Sequence, residues 1–248
     1  SSFGYHDGEV ETVISVDDVN RQAQQLAETV SLEKVSGLVE GEPFLKIESL
    51  NAGYGKMEIL HDFNLKIAKG QSLCLIGPNG AGKSTVLHSI FGFTNIFSGS
   101  IIVDGQDVTK LTPSKKLAKA GIAYILQDKS VFPQMTVEEN LLMGGFLKNK
   151  PSEAKVAAEM VFDKYSRLAE RRNKPAGVLS GGERRLLEIS RALVMQPNIL
   201  LVDEPSIGLE PRFIDMVFSI LEDLQKKDGK TIIMVEQNAK KGLEFADI

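Results

Sequence analysis

Apolar and polar residues follow two different periods from residue 44 onward. Strand-like patterns, either alternating or continuously apolar, occur at 44–50, 59–67, 72–76, 101–103, 122–126, 199–202 and 231–235. Turn residues at 52–55 and 69–70 separate the first three. Helical spacing occurs at 83–91, 183–195 and 213–226. Because continuous apolar runs are typical of buried parallel strands, the pattern predicts an α/β fold.

The segment between Gln127 and Leu179 has no strand pattern. Apolar residues recur there on one predicted helical face: Val156, Met160, Val161, Tyr165 and Leu168. We therefore predict an inserted α-helical subdomain at about 128–180, within a domain that spans 44–248. Residues 1–43 form a separate segment whose first 16 residues are mostly polar. Asp17-Asp18 could then cap a helix, so we predict a partly helical N-terminal extension.

Composition narrows the function classes. Of the 248 residues, 42% are hydrophobic and 25% charged, as in ordinary globular chains. The net charge of −4 gives no basic excess, so we expect no nucleic-acid partner. No apolar stretch approaches the roughly 20 residues that span a bilayer, and the N-terminus lacks a signal-peptide pattern. The single cysteine, Cys74, lies in an apolar run and is expected to be buried, in a reducing compartment.

A glycine-rich motif follows the predicted strand at 72–76 and opens the next helix. It matches G-x-x-x-x-G-K-[ST] and comprises Gly77, Pro78, Asn79, Gly80, Ala81, Gly82, Lys83, Ser84 and Thr85. Backbone N–H groups of such a loop cradle phosphates, Lys83 reaches the β and γ oxygens, and the Ser84 hydroxyl ligates Mg²⁺. The alternative, a glycine-rich turn with an incidental lysine, does not account for the flanking strand and helix.

Two acidic residues end the apolar run at 199–202. Since the carboxyl ends of parallel strands form the ligand-binding edge of α/β sheets, Asp203 and Glu204 are expected beside the phosphate loop. Asp203 could then hold Mg²⁺, and Glu204 could act as general base toward the attacking water. An acidic pair of this kind can also be merely solvated. The presence of the phosphate loop with Lys83 in the same chain favours the functional interpretation.

A second glycine pair lies in Leu179-Ser180-Gly181-Gly182-Glu183. Ser180 and Glu183 have the spacing of a capping box that begins a helix. Two adjacent glycines exceed what capping needs, and they would bare backbone N–H groups for a second phosphate cradle. Because one nucleotide needs one cradle from its own chain, this second cradle predicts contact with the γ-phosphate of another subunit, and therefore a dimer.

These motifs, in this order, resemble those of the ATP-binding-cassette (ABC) ATPases, over residues 44 to the end. The resemblance implies a phosphate-loop NTPase with a RecA-like, mostly parallel core sheet, an antiparallel β subdomain and an inserted helical subdomain. It implies ATP hydrolysis with ATP and Mg²⁺ bound. The implied partners are a second ABC ATPase subunit, in a homodimer or a paralogous heterodimer, and membrane-embedded permease subunits.

The resemblance assigns roles to further residues. Tyr54 is similar to the aromatic residue that stacks on adenine, although a turn tyrosine packed on the sheet would have the same sequence. Gln127 resembles the glutamine that reaches Mg²⁺ and the attacking water. The loop 206–211 resembles one that crosses the dimer interface, and Gln237 occupies the place of the switch residue at the γ-phosphate.

The sequence departs from the family pattern at several places. Gln237 stands where histidine is usual, and a glutamine amide cannot be protonated. Glu183 and Glu210 replace the commoner Gln and Asp. The sequence stops at Ile248, where the family usually continues, so we expect a truncated or naturally short form. Because of Gln237 and this early stop, a cassette that binds ATP without hydrolysing it remains an alternative interpretation.

The strings 235–239, 132–141 and 179–183 resemble the ATPase subunits of branched-chain and hydrophobic amino-acid importers. Such importers often pair two different ATPase subunits, one with histidine and one with glutamine at the switch position. They depend indirectly on a solute-binding protein. The resemblance implies a cytoplasmic subunit, peripheral on the inner face of the cell membrane. Phe132, Pro133 and Met143 are expected either near a groove for a permease helix or in the core of the insert.

Alternative functions remain at this point. Urea importers and lipopolysaccharide exporters have related cassettes. Soluble regulatory ABC ATPases carry tandem cassettes or long coiled coils, and neither is visible in this sequence. A phosphate-loop kinase would leave residues 179–183 without a task.

Overall fold

The computed structural model describes residues 42–76, 82–125, 130–237 and 239–245, together with the backbone of 13–15. The helix predicted to follow Asp17-Asp18 lies outside the described residues. The same is true of Gly77, Pro78, Asn79, Gly80 and Ala81 of the phosphate loop, and of Gln127.

A parallel sheet carries the predicted buried strands. Its order is β1 (Val13–Ser15), β4 (Ser72–Ile76), β9 (Thr231–Glu236), β8 (Ile199–Asp203) and β7 (Ile122–Ile125). Every pairing within it is parallel, so the carboxyl ends of β4, β8 and β9 lie at one edge. The sequence pattern gave no indication of β1, which pairs Val13 with Cys74 in a segment expected to be irregular.

A second sheet is antiparallel, in the order β3 (Met57–Ile67), β2 (Leu45–Tyr54), β5 (Asn95–Val103) and β6 (Gln106–Asp107). The predicted turn at 52–55 was placed too early, because β2 continues through Tyr54 and the turn is formed by residues 55–56. Gly99 allows a close approach of β5 to β2, since a Cβ there would lie 2.4 Å from the carbonyl oxygen of Ser49.

Helices cover the parallel sheet and form a separate cluster beside it. They are α1 (Lys83–Phe91), α2 (Pro113–Ala118), α3 (Val137–Gly144), α4 (Pro151–Lys164), α5 (Ser166–Glu170), α6 (Gly181–Leu193), α7 (Pro211–Lys226) and α8 (Ala239–Phe245), with a 3₁₀ turn at Ala176–Val178. The predicted α/β class, with a mostly parallel sheet and an antiparallel one, is confirmed.

The helical insert buries a different face from the one predicted. Val161 and Leu168 are buried as expected, but Val156 and Met160 are 62% and 55% exposed. The buried stripe of α4 instead uses small residues, Ala154, Ala157 and Ala158, together with Val161 and Phe162. Because Leu186, Leu187 and Val194 in and beside α6 complete this cluster, the insert shares its core with the helix that follows it.

Other core predictions agree with the structure. Val217, Leu221 and Leu224 on α7 are buried against the parallel sheet. Cys74 is fully buried, and burial strongly raises the pKa of its thiol, so it is a core residue without a reactive thiolate. Among the described residues, none of the helices is long and apolar enough to span a membrane.

Candidate functional site

The carboxyl edge of the parallel sheet brings the end of the phosphate loop to the acidic strand. Lys83 begins α1 and is almost fully buried, with Gly82 as the N-cap. The Ser84 hydroxyl lies 3.4 Å from Oδ1 of Asp203, the last residue of β8. Ser84 is therefore a neighbour of Asp203, which lies more than a hundred positions later in the sequence. Both lie at the carboxyl edge of the parallel sheet, because α1 follows β4 and Asp203 ends β8.

Asp203 is held by a second hydroxyl. Tyr124, on the adjacent strand β7, donates to Oδ2 of Asp203 at 2.8 Å. Burial and the nearby Asp203 charge raise the pKa of the Tyr124 hydroxyl well above its usual value, so it remains a donor. Oδ2 is thus occupied, and Oδ1 faces Ser84.

Oxygen donors at this place suit Mg²⁺. A hydroxyl and a carboxylate from the protein, completed by phosphate oxygens and water, match the octahedral oxygen shell that this ion takes beside nucleotides. The described residues contain no cluster of three or more His, Cys, Asp or Glu side chains that would hold a metal by themselves. The donor set therefore fits a magnesium ion that arrives with a nucleotide.

Glu204 has a strained backbone next to this pair. Its φ of 49° lies in the left-handed region, which is unfavourable for glutamate and recurs at functional sites. Its N–H donates to the carbonyl of Val235 at 2.6 Å, which ties it to β9. The Gln237 amide, directly after β9, donates to Oε1 of Glu204 at 2.9 Å. Two residues predicted to act in hydrolysis are therefore in direct contact.

Glu236 joins the interface loop to the same edge. This buried carboxylate accepts hydrogen bonds from the Ser206 hydroxyl at 2.5 Å and from the Gln237 N–H at 3.1 Å. Ser206 begins the loop predicted to cross the dimer interface. The sequence analysis did not single out Glu236, because a glutamate at the end of an apolar strand has no pattern that distinguishes a buried carboxylate from a solvated one.

Tyr54 lies at the end of β2 and is 37% exposed. Its hydroxyl forms a hydrogen bond with Nδ1 of His88, on α1, at 2.5 Å. His88 also lies beside the rings of Phe93 and Tyr124, with centroids 5.8 Å away in each case. Tyr54 is thus tied to the helix that begins with Lys83.

The second glycine pair begins α6, and the predicted capping box is present. The Ser180 hydroxyl accepts from the Glu183 N–H, and the Glu183 carboxylate accepts from the Ser180 N–H. Partial burial opposes ionisation of Glu183, but the hydrogen bonds from Ser180 and the charge of Arg171 outweigh it and lower its pKa. In the described part of the chain, the side-chain bonds of Ser180 and Glu183 run to each other and to Arg171.

The two glycines have different surroundings. A Cβ on Gly182 would lie 2.5 Å from the Phe213 ring of α7, whereas a Cβ on Gly181 would lie 3.8 Å from it. Gly182 is required by packing, and Gly181 is not. Farther along α6, the buried Arg185 pairs with Glu188 and donates to the carbonyl of Ile207 at 3.0 Å, which links this helix to the interface loop.

Phe132, Pro133 and Met143 are exposed, so the alternative that placed them in the core of the insert is wrong. Phe146, which the sequence analysis missed, is 70% exposed. Asn140 is fully buried beneath this surface, and its amide exchanges hydrogen bonds with the N–H and the carbonyl of Phe132. The loop that carries the exposed Phe132 is therefore held in place by Asn140.

Comparisons with known proteins agree with this geometry. The family model described as ABC transporter matches residues 60–207. The high-affinity branched-chain amino acid transport ATP-binding protein BraG of Pseudomonas aeruginosa is 42% identical over 203 residues, covering 82% of this chain and 86% of that protein. The probable branched-chain amino acid transport ATP-binding protein LivF of Archaeoglobus fulgidus is 39% identical, covering 82% and 85%.

A solved structure has the same fold. The ADP conformation of MJ1267, an ATP-binding cassette of an ABC transporter, superposes with a TM-score of 0.72 at 28% identity, covering 83% of this chain and 85% of that one. The chain therefore belongs to the ABC transporter family, as an ATPase that binds nucleotide.

Proposed function

We propose that this chain is the ATP-hydrolysing subunit of an importer for branched-chain or other hydrophobic amino acids. The cargo assignment is supported by the relatives BraG and LivF, whose names specify branched-chain amino acid transport. The chemistry is supported by one observation above the others. Ser84, Asp203, Glu204 and Gln237 converge at one sheet edge, and Lys83 begins α1 beside them.

In this proposal, the residues 77–85 hold the ATP phosphates, and Lys83 neutralises charge on the β and γ oxygens. Ser84 and Asp203, with Gln127, would hold Mg²⁺, which withdraws charge from the phosphate oxygens when bound. Glu204 accepts a proton from the attacking water. Gln237 orients the Glu204 carboxylate, because its amide already donates to Oε1. Tyr54 receives the adenine base on its ring.

The second half of each site comes from another subunit. Ser180 and Glu183 cap the start of α6 by bonding to each other, and Gly181 and Gly182 form its first turn. With no side chain, these two glycines leave their backbone N–H groups open to a close approach by a phosphate. Two chains would enclose two ATP molecules, and the γ-phosphate would favour the closed dimer through its contact with this cradle.

The permease docks on the helical subdomain. Phe132, Met143 and Phe146 expose 44%, 41% and 70% of their surface, so apolar area is available there for a partner to bury. A helix of a membrane-embedded permease subunit is the proposed occupant, with the chain on the inner face of the cell membrane. A solute-binding protein would deliver the amino acid to the permease from the other side.

The conversion of Glu204 to glutamine tests the catalytic part. Glu204→Gln keeps the size of the side chain and removes the proton acceptor, so ATP should still bind while turnover falls by about 100-fold or more. The matched control is Glu222→Gln, because Glu222 is an exposed glutamate on α7 that pairs with Lys226, four residues later. Turnover by Glu204→Gln equal to that of Glu222→Gln would overturn the role of Glu204.

Uptake of radiolabelled leucine tests the cargo. The chain would be reconstituted in vesicles with the permease and solute-binding proteins of a branched-chain amino-acid importer. ATP-dependent leucine uptake that Glu204→Gln abolishes is the expected result. ATP hydrolysis that is stimulated by the permease without leucine, isoleucine or valine uptake would refute the cargo and leave the ATPase function intact.

A further inference from the structure

His88 occupies a position between the two sheets that the proposed catalytic roles do not use. It lies on α1, five residues after Lys83, and is partly buried. Burial lowers the pKa of His88, with the charge of Asp203 opposing this only in part. The imidazole is therefore neutral near pH 7, and a neutral ring has one nitrogen that accepts a hydrogen bond.

The His88 contact restrains Tyr54. Tyr54 ends β2, and its side chain is one-third exposed. Its hydroxyl is joined to His88 Nδ1 at 2.5 Å, while the two rings are inclined by 79° with centroids 6.0 Å apart. The imidazole is not stacked on the Tyr54 ring, so the bond fixes the direction of the ring without occupying its face.

His88 is itself fixed by the core. Phe93 lies edge-on to it, and Tyr124 lies beside it with a ring tilt of 37°. Tyr124 also donates to Asp203 Oδ2. The contacts thus run from Tyr54 on the antiparallel sheet, through His88 on α1, to Tyr124 and Asp203 on the parallel sheet. These contacts set the distance between the Tyr54 ring, proposed to receive the adenine base, and Asp203, which lies beside the proposed phosphate site.

We infer that His88 is a positioning residue that pre-orients Tyr54 for the adenine base of the nucleotide. This inference rests on the proposed function, in which Tyr54 stacks on adenine. Without the anchor, Tyr54 must be immobilised when the nucleotide binds. Ordering one side chain at a binding site weakens affinity by about two- to tenfold.

A double-mutant cycle with Tyr54→Phe and His88→Phe tests this role. Tyr54→Phe keeps a ring for stacking and removes only the hydroxyl that reaches His88. His88→Phe keeps an aromatic side chain against Phe93 and Tyr124 and removes the nitrogen. His61→Leu is the matched control, because His61 is an exposed histidine on β3 whose partner is Glu58. Equilibrium binding is measured with two probes, ATP and inorganic tripolyphosphate, which has no base.

Each single variant should bind ATP about two- to tenfold more weakly than the wild type. The double variant should be no weaker than either single one, because both remove the same bond. Tripolyphosphate affinity should be the same in all variants, and His61→Leu should match the wild type with both probes. ATP binding by Tyr54→Phe at wild-type affinity would overturn the inference, and so would multiplied effects in the double variant.

The outcome also separates this inference from the proposed function. Wild-type protein that binds and hydrolyses ATP while Tyr54→Phe behaves identically refutes only the role of His88. Wild-type protein that binds tripolyphosphate and ATP equally well refutes the stacking of adenine on Tyr54, and the role of His88 with it.

Discussion

Replacing the two glycines at the start of α6 should separate packing from phosphate binding. Gly181→Ala and Gly182→Ala add the same methyl group to neighbouring residues of one helix. At Gly181 the nearest atom to the new Cβ is 3.8 Å away, which is an ordinary contact. At Gly182 the new Cβ would lie 2.5 Å from the ring of Phe213 and 2.8 Å from the methyl group of Met216.

The magnitude follows from these distances. Met216 offers the far end of a flexible chain and can yield, but the Phe213 ring must move away from α6. Overpacking of this kind costs about 1–3 kcal/mol. Alanine gains up to about 1 kcal/mol over glycine in a helix, and that gain applies to both variants. Gly182→Ala should therefore be about 1–3 kcal/mol less stable than Gly181→Ala, or about 2–12 °C lower in Tm.

Thermal unfolding of the two variants measures this difference. In a Phe213→Ala background the difference should disappear, because the ring is absent. Gly181→Ala should be at least as stable as the wild type. In a Glu204→Gln background, where lost hydrolysis should let the proposed ATP-dependent dimer accumulate, Gly181→Ala should weaken that dimer, since the added methyl group crowds the backbone proposed to receive the partner's phosphate. Equal Tm values for the two glycine variants, or a difference that persists without Phe213, would refute the packing argument.

Three further predictions concern other parts of the molecule. Burial lowers the pKa of Lys116 to about 8, so above that pH the unfolded chain binds more protons at this residue. The contribution of Lys116 to the free energy of unfolding should therefore rise toward pH 10.5, by about 3 kcal/mol at most. Urea titrations should show that the free-energy difference between the wild type and Lys116→Met changes in this sense, since the buried thiol and tyrosines, which act in the opposite sense, are common to both. Gln237→His should add a titration near pH 6.5 to the ATPase rate, absent from the wild type. Asn140→Ala should lower stability by about 1–3 kcal/mol, because it leaves the Phe132 N–H unpaired; an unchanged Tm would contradict this.

Local signals explain why much of the site was predictable. The glycine-rich motif and the capping box act through backbone conformation within a few residues, so their sequence identifies them. Helix α1 occupies 83–91 as predicted. Ser84 lies near Asp203 because β4, which leads into α1, and β8 end at the same edge of the parallel sheet, on either side of β9. Strand ends in a parallel sheet share an edge, and this rule converts separate motifs into one site.

Contacts between elements explain what the sequence did not predict. His88 gains its role because α1 brings it to the end of β2, and Tyr124 gains its role because β7 pairs with β8. Neither residue is part of a recognisable sequence motif. The α4 face was wrong because alanines, which carry little hydrophobic signal, form its buried stripe while Val156 and Met160 face outward. Small residues allow α4 to pack closely against its neighbours. The gain from this close packing exceeds what burial of the larger side chains would give, although periodicity in the sequence favours the larger side chains as the buried face.

The interface loop that begins at Ser206 is fastened at two points to elements with different proposed tasks. Its first residue, Ser206, is bonded to Glu236, whose neighbour Gln237 contacts Glu204. Its next residue, Ile207, accepts a hydrogen bond from Arg185, four residues after Gly181. Arg185 and Glu188 are both buried, and removing one partner of a buried pair costs more than an exposed bond would. A displacement of this loop must therefore either break its bonds to Glu236 and Arg185 or move these residues with it, which couples the loop to the Glu204–Gln237 contact and to α6.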